Sequence, residues 1–480
     1  MSDNLIFEHY PLKGQKLPAN WLTVTIGQVA RSVASGFPSG AHNAEGKGIP
    51  HIRPMNIDRE GRFDLASVKC VEGEPSRLLR KGDVLFNNTN SPELIGKTTA
   101  ILVDTKLAYS NHMTRVELED GLSAVFVARQ LHFLWMSGYF RHRCKNHVNQ
   151  ASISAEPLAE SVPLLLPPKA EQERIADALD ELLSDLDTGV AALERVQAKL
   201  KHYRAAVLKA AVEGALVRAA KPYPIRRIGD AIESLGQGWS PKCESQAAAD
   251  SETWAVIKTT AIQPLRYLEE HNKALPAALK PRPRLELVEG DLLITRAGPR
   301  TRVGIACLVK RTRARLMLCD KAYRLRCKRD TLSPAFLEVV LNAPHIVTAL
   351  DKLKTGINDS GLNLTQDRFY ELLVPYPPPD EQEAIVEAVE DQLSVIEHLE
   401  ADLEAKLKSA QALRQSILRH AFTGQLVPQD PNDEPAAELL KRIAAQREER
   451  ARQAQTAKQT RSKPASKKSK TPLNKSARHP

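Results

Sequence analysis

Two short strings carry the side chains best suited to recognition chemistry. After the strand-like run Val84 to Phe86, the residues Asn87, Asn88, Asn90 and Ser91 cluster, and Lys97 follows. Asparagine can pair bidentately with adenine, and lysine can reach a phosphate. The letters "NNTNSPE" would equally make a good turn in which the amides bond their own backbone. A parallel string further along carries Arg296, Arg300 and Arg302 around Gly298 and Pro299. Arginine matches guanine edges and phosphates; a solvated loop is the alternative. Arg53 and Asn56 in "HIRPMNI" answer to Lys258 in "VIKTTAI", where a structural role at a strand end competes with ligand contact. Ser39, after Gly36 and Pro38, and Ser240 with Lys242, after Gly238, occupy equivalent early loops suited to phosphate positioning.

Bond-making chemistry finds no comparable support. A base methyltransferase needs a Gly-rich cofactor loop and an Asn/Asp-Pro-Pro-aromatic tetrapeptide, whereas "YPPPD" at Tyr376 has neither the leading amide or acid nor the trailing aromatic. The string "GAHNAEGKG" from Gly40 to Gly48 has five residues between its glycines and lacks the hydroxyl of a phosphate-binding loop. The acids after Pro379 read as a helix start. Thirteen histidines show no metal-ligand spacing, and the six cysteines include no C-x-x-C pair, so they read as reduced structural thiols. No cofactor or metal site is expected in this chain.

The elements that must position these strings are repeated. "EQERIADALDELLS" (Glu171 to Ser184) returns 210 residues later as "EQEAIVEAVEDQLS" (Glu381 to Ser394), and "LKAAVEGALV" (Leu208 to Val217) returns as "LRHAFTGQLV" (Leu418 to Val427). Each copy is introduced by prolines and closed by a glycine, Gly214 or Gly424, which is expected helix-boundary chemistry. In the first copy Ile175, Leu179, Leu182, Leu186, Leu193, Val196, Leu200, Tyr203 and Val207 follow a heptad seam. The second copy places Gln392 and Lys406 in two seam slots, which predicts less regular packing. Two such helices in one chain are most naturally paired antiparallel, as a spacer about 60 Å long.

The stretches before each helix read as mixed strand units. "GDVLFNNTNSPELIGKTTAILVD" from Gly82 parallels "GDLLITRAGPRTRVGIACLVK" from Gly290, one frame with different polar fillings. Charge separates accordingly: residues 221–330 hold 22 Lys and Arg against 12 Asp and Glu, while Glu171 to Glu213 holds 6 against 9. A polyanion such as DNA would be drawn to the mixed units. The formal charge of +10 lies largely in residues 441–480, with 13 Lys and Arg against 2 Glu. The aspartates and Asn432 before Ala436 read as the cap of a short helix, and from Gln455 the basic, low-complexity sequence is expected to be disordered. No long apolar span and no secretory pattern occur, so a cytoplasmic location and no membrane partner are expected.

In this order, "GIPHIRPMNI", "KGDVLFNNTNSPELIGK" and its echo "EGDLLITRAGPRTRVGI", the two "P-P-x-x-EQE-x-I" helix starts, the "G-x-LV" ends and "LVPQDPNDEPAAELLKRI" resemble the specificity subunit of type I restriction-modification systems. The resemblance covers about residues 18–450. It implies an α+β fold with two target recognition domains, 18–168 and 221–378, separated by two long helices, 169–217 and 379–427, packed as an antiparallel coiled coil with pseudo-two-fold internal repeat; residues 428–480 form a short helix and a disordered basic tail. It further implies a non-catalytic subunit that reads one half of a split, asymmetric site on double-stranded DNA with each domain. Two methyltransferase subunits and the restriction and translocase subunits would join it, with S-adenosylmethionine, ATP and Mg confined to those partners. From the residues alone, a coiled-coil scaffold whose flanking domains bind protein stays open.

Overall fold

A computed structural model describes residues 8–73, 77–146 and 150–461. The chain divides into two compact units, the described residues up to Val190 with those from Lys408 onward, and Ala191–Leu407. In chain order the helices are α1 (Ile26–Val29), α2 (Ala124–Met136), α3 (Ala155–Ser161), α4 (Lys169–Val212), α5 (Pro334–Asn342), α6 (Pro344–Leu353), α7 (Gln366–Tyr370), α8 (Pro379–Phe422) and α9 (Ala436–Arg461). The long helices α4 and α8 start where the prolines end, as expected, and stop two residues before Gly214 and Gly424, both with left-handed φ.

The duplicated "EQE" has a mechanical explanation. In the first unit the buried Gln172 amide donates to Pro167 O (3.0 Å) and accepts from Ser123 N–H (3.0 Å), while Ser123 Oγ caps α2 by accepting from Phe126 N–H. In the second unit Gln382 donates to Pro377 O (3.0 Å) and Thr331 O (2.9 Å) and accepts from Ser333 N–H (2.8 Å), and Ser333 caps α5 in the same way. One glutamine thus ties the proline turn, the start of a long helix and the cap of a domain helix together, satisfying backbone groups that burial would otherwise orphan. Glu171 beside it accepts from Trp21 Nε1 (3.0 Å).

Both units use the same strand order. In the first, a four-stranded antiparallel sheet runs Ala30–Ser35, Met113–Leu118, Val84–Asn87, Thr98–Ala100; in the second, Ile232–Gln237, Ala322–Cys327, Leu292–Thr295, Ala306–Leu308. A second sheet contains one parallel pairing in each unit, Leu107–Tyr109 with Ile49–Ile52 and Leu316–Met317 with Ala255–Ile257. Glycine is required where the two sheets meet. A Cβ on Gly36 would clash with the carbonyl oxygens of Tyr109 and Ser110, and one on Gly238 with those of Leu318 and Cys319.

Within each unit the long helices pack antiparallel. Ile175, Leu179 and Leu183 of α4 share a core with Leu418, Ala421 and Phe422 of α8 in the first unit. Val207, Leu208, Ala211 and Val212 share one with Ile385, Val389, Leu393 and Ile396 in the second. Arg204 pairs with Glu400 at 3.0 Å and Tyr203 Oη donates to Gln392 Oε1 at 2.8 Å. The heptad expectation is therefore corrected in register. Leu183 is buried in place of Leu182, and Leu182, Val196 and Tyr203 are exposed, as are Leu399 and Leu413 of α8. Steps of four, as in 175, 179, 183 and 385, 389, 393, follow a straight 3.6-residue helix packed on a domain; a strict 3.5-residue seam would need supercoiling.

The short terminal helix is also corrected. α9 has 26 residues and packs on the first unit, with Ala436, Leu439 and Ile443 buried in its core. Glu119, whose side chain is 1% exposed, pairs with Arg447 (2.9 Å), Arg450 (2.6 Å) and Arg31 (3.4 Å). Arg174 chelates Asp433 just before the helix (2.6 and 3.2 Å). The helix runs six residues past Gln455; the rest of the expected disordered tail lies outside the described residues. All six cysteines are unpaired, and among the described residues no helix is long and apolar enough to cross a membrane.

Candidate nucleic-acid interface

The two polar strings fill one frame by different chemistry. Asn87 Nδ2 donates to Leu94 O (2.8 Å), and its counterpart Thr295 donates through Oγ1 to the counterpart carbonyl, Arg302 O. Asn88 N–H bonds His112 O (3.0 Å) and its Nδ2 bonds Asn111 O (3.1 Å); Arg296 N–H bonds Lys321 O (2.8 Å) and its Nε bonds Asp320 O (2.7 Å). Asn88 also donates to Thr114 Oγ1 (2.8 Å).

An inward-pointing cation, buried in the case of Lys97 and half-buried in that of Arg302, completes each frame. Lys97 Nζ donates to Pro54 O (3.2 Å) and Ile57 O, capping the 3-10 turn Pro54–Asn56. In the second unit Arg302 Nη2 donates to Thr259 O (2.6 Å) and Ile262 O (2.8 Å), the equivalent carbonyls around the turn Thr259–Ala261. The strands align Gly82 with Gly290, so Lys97 and Arg302 arrive from different positions in the chain at one place in space. Burial pushes both cations below their ordinary pKa values.

These contacts redistribute the expected ligand residues. Asn56 is fully buried, donating to Asp64 O and accepting from Arg53 N–H, each at 3.0 Å. Asn56, Asn87, Asn88, Lys97 and Arg302 thus point their polar groups into the protein, because each supplies a bond that the buried backbone needs. Arg296 is half-buried over the Tyr323 ring. Exposed Arg300 is committed to Asp351 (2.7 Å) and Asp359 (3.0 Å). Asn90 and Ser91 lie half-buried at the turn, with Asn90 Oδ1 accepting from Ser91 N–H (2.9 Å). Ser39 Oγ accepts from Ala41 N–H (3.3 Å).

Arg53 and Lys258 remain on the rim, joined there by side chains that linear reading passed over. In the second unit Ser240, Lys258, Lys273 and Lys321 line an open cavity of about 420 Å³, with Lys242 exposed just beyond Ser240. Ser240 and Asp320 bond each other, fixing the wall. In the first unit Lys69 stands where Lys273 does, because each pairs across the sheet with the equivalent residue, His51 or Val256. Burial first, then the nearby charges of Arg53 and Lys69, lower the pKa of His42, whose Nε2 lies 2.8 Å from His51 Nδ1. Both units therefore present two cations at matching positions, Arg53 with Lys69 and Lys258 with Lys273. The intervening loop differs: Asn111 and His112 in one, Asp320 and Lys321 in the other. Such a rim suits a polyanion, with different polar edges in each unit.

The chain thus carries two mixed units of one strand order, each sharing a core with the long helices. Residues 18–195 match the family described as the type I restriction modification DNA specificity domain. The specificity subunit of the type I restriction enzyme EcoEI of Escherichia coli is 36% identical over 196 residues, covering 40% of this chain and 33% of that subunit's own length. The EcoKI specificity subunit of Escherichia coli (strain K12) is 25% identical over 459 residues, 90% of this chain and 96% of that one. A chain solved in work on complex assembly and conformational transition of the type I R-M system shares the fold, with a TM-score of 0.65 over 86% of this chain and 100% of that one, at 17% identity. Over about nine tenths of its length the chain is thus similar to specificity subunits of type I restriction-modification systems.

Proposed function

We propose that this chain is the non-catalytic, sequence-reading subunit of a type I restriction-modification complex. It recognises a bipartite, asymmetric site on double-stranded DNA, one half with each recognition unit. The observation that carries this reading is the matched rim: equivalent cations, Arg53 with Lys69 and Lys258 with Lys273, flank loops of unlike hydrogen-bonding character on a shared frame. Cations at fixed positions hold the phosphates, and the unlike loops meet unlike base edges. Ser39, Asn90, Ser91, Ser240 and Lys242 border this surface as secondary contacts. Two methyltransferase subunits dock on the long helices, whose exposed Leu182, Val196, Leu399 and Leu413 are apolar residues without cover in this chain, and the restriction subunits join that core. S-adenosylmethionine, ATP and Mg act on those partners, in the cytoplasm.

The test is methylome sequencing of a host expressing this chain with its methyltransferase. A new methylated motif in two unlike halves around a fixed gap is expected. No new motif, with no sequence preference in DNA binding by the purified complex, overturns the reading in favour of a protein-binding scaffold.

A further inference from the structure

The first unit has a second basic hollow, most of whose free cations have no counterpart at the equivalent positions of the second unit. Arg77, Arg80, Lys81, Lys106 and Arg115, with Asp104, line an open cavity of about 650 Å³ over Tyr109. Arg115 forms the floor and is already answered, by Glu117 at 2.6 Å and Asp83 at 3.8 Å, and it donates to Leu78 O. Arg77 donates to the carbonyls of Ser35 and Gly36, at the root of the early loop that carries Ser39. Among the described residues, Arg80, Lys81 and Lys106 are exposed and make no ion pair. Three exposed cations without an ion-pair partner, set around the guanidinium of Arg115 with one lining acid, repel one another until an anion enters.

The equivalent hollow of the second unit is differently built. Asp83 and Asp291 occupy one position, each accepting from the backbone N–H three residues earlier, Arg80 at 2.7 Å and Val288 at 3.0 Å. By that register Leu285, Val288 and Glu289 replace Arg77, Arg80 and Lys81. Arg315, in the place of Lys106 before the equivalent strand, is paired with Glu252 at 2.8 Å.

We propose that the hollow of the first unit is a phosphate-binding site that grips the DNA backbone beside its half-site, giving the first unit a sequence-independent hold that the second does not have. The proposal rests on the DNA-reading function above. Lysine and arginine without fixed partners suit phosphate oxygens better than base edges, which need oriented donors and acceptors.

The experiment measures binding of the methyltransferase complex to its cognate duplex as a function of salt, with the triple variant Arg80→Gln, Lys81→Gln, Lys106→Gln. Each lost phosphate contact lowers the slope of log K against log salt by about 0.9, so the triple variant should lose about 2 to 3 from the slope, and roughly 30-fold less affinity should disappear between about 50 and 200 mM salt. The methylated motif should keep its letters. Asp104→Asn, which removes the opposing acid without deleting a cation, should bind several-fold more tightly at low salt, and this arm decides the matter if the triple variant does not fold. An unchanged slope, or altered letters in one half of the motif, overturns the proposal. Wild-type complex without sequence preference would instead overturn the function on which it rests.

Discussion

Replacing Gln382 with alanine tests the mechanical account of the repeated helix start. The side chain is buried and serves three backbone groups, Ser333 N–H, Thr331 O and Pro377 O. A buried N–H left without a partner costs about 1–3 kcal/mol, and each carbonyl that loses its donor adds about 0.5–1 kcal/mol. The expected loss is about 3 kcal/mol for the second unit, a large share of a domain's typical total. Gln172→Ala removes one carbonyl bond fewer, Pro167 O being its single acceptor beside the Ser123 N–H, so about 2 kcal/mol is expected in the first unit. The assay is hydrogen exchange of the full chain. In Q382A the Ser333 amide and the first turn of α5 should lose protection while the Ser123 amide keeps its own, and in Q172A the pattern should reverse. If Q382A exchanges like wild type at Ser333 and unfolds within about 0.5 kcal/mol of it, the glutamine is not what fixes the helix to the domain.

Other substitutions bear on the remaining elements. Glu119→Gln should release α9: burial opposes the charge of Glu119, yet the hydrogen bonds from Arg450 and Arg447 outweigh it and hold the carboxyl below its ordinary range. Its contribution of about 2 kcal/mol is present at neutral pH and lost as pH falls through the depressed value, so wild type at low pH should mimic the variant, read as faster exchange in residues 436–456. Burial raises the Glu338 carboxyl from 4.5 to about 7. The folded state then holds more protons between those values, and stability falls as pH rises through that window; Glu338→Gln should stabilise the second unit by about 2 kcal/mol at pH 8 and little at pH 5, in urea melts. Gly36→Ala and Gly238→Ala should each cost about 3 kcal/mol or more in their own unit, because a Cβ there overlaps backbone oxygens that cannot swing away.

What could be read from the chain depended on whether the signal was local. The helix starts at Lys169 and Pro379 were legible because proline, acid and glutamine act on their immediate neighbours. The common frame after Gly82 and Gly290 was legible as well, from two strands of like pattern. The destinations of its polar residues were not. Asn87 and Thr295 look like different readers in a string, yet both donate to the same carbonyl position. Lys69 and Lys273 carried no signal because sheet pairing, not sequence distance, brings them beside Arg53 and Lys258. The length of α9 was hidden because its basic stretch looks unable to bury anything. The partner that holds it, Glu119, lies more than 300 residues earlier in the chain.

The inward-pointing cation that caps the 3-10 turn sets a rule for exchanging pieces between the two units. Its requirement is attached to a point in space and not to a column of an alignment. Grafting residues 295–302 of the second unit in place of 87–94 would import Arg302 while Lys97 stays, forcing two positive charges toward one pair of carbonyls. Grafting 87–94 into the second unit would import neither and leave those carbonyls bare. A transplant extended to residues 82–101 and 290–309 carries one cation each way and keeps the count. New specificities built by cutting within these loops would fail for want of a single interior charge, however well the outer residues were chosen.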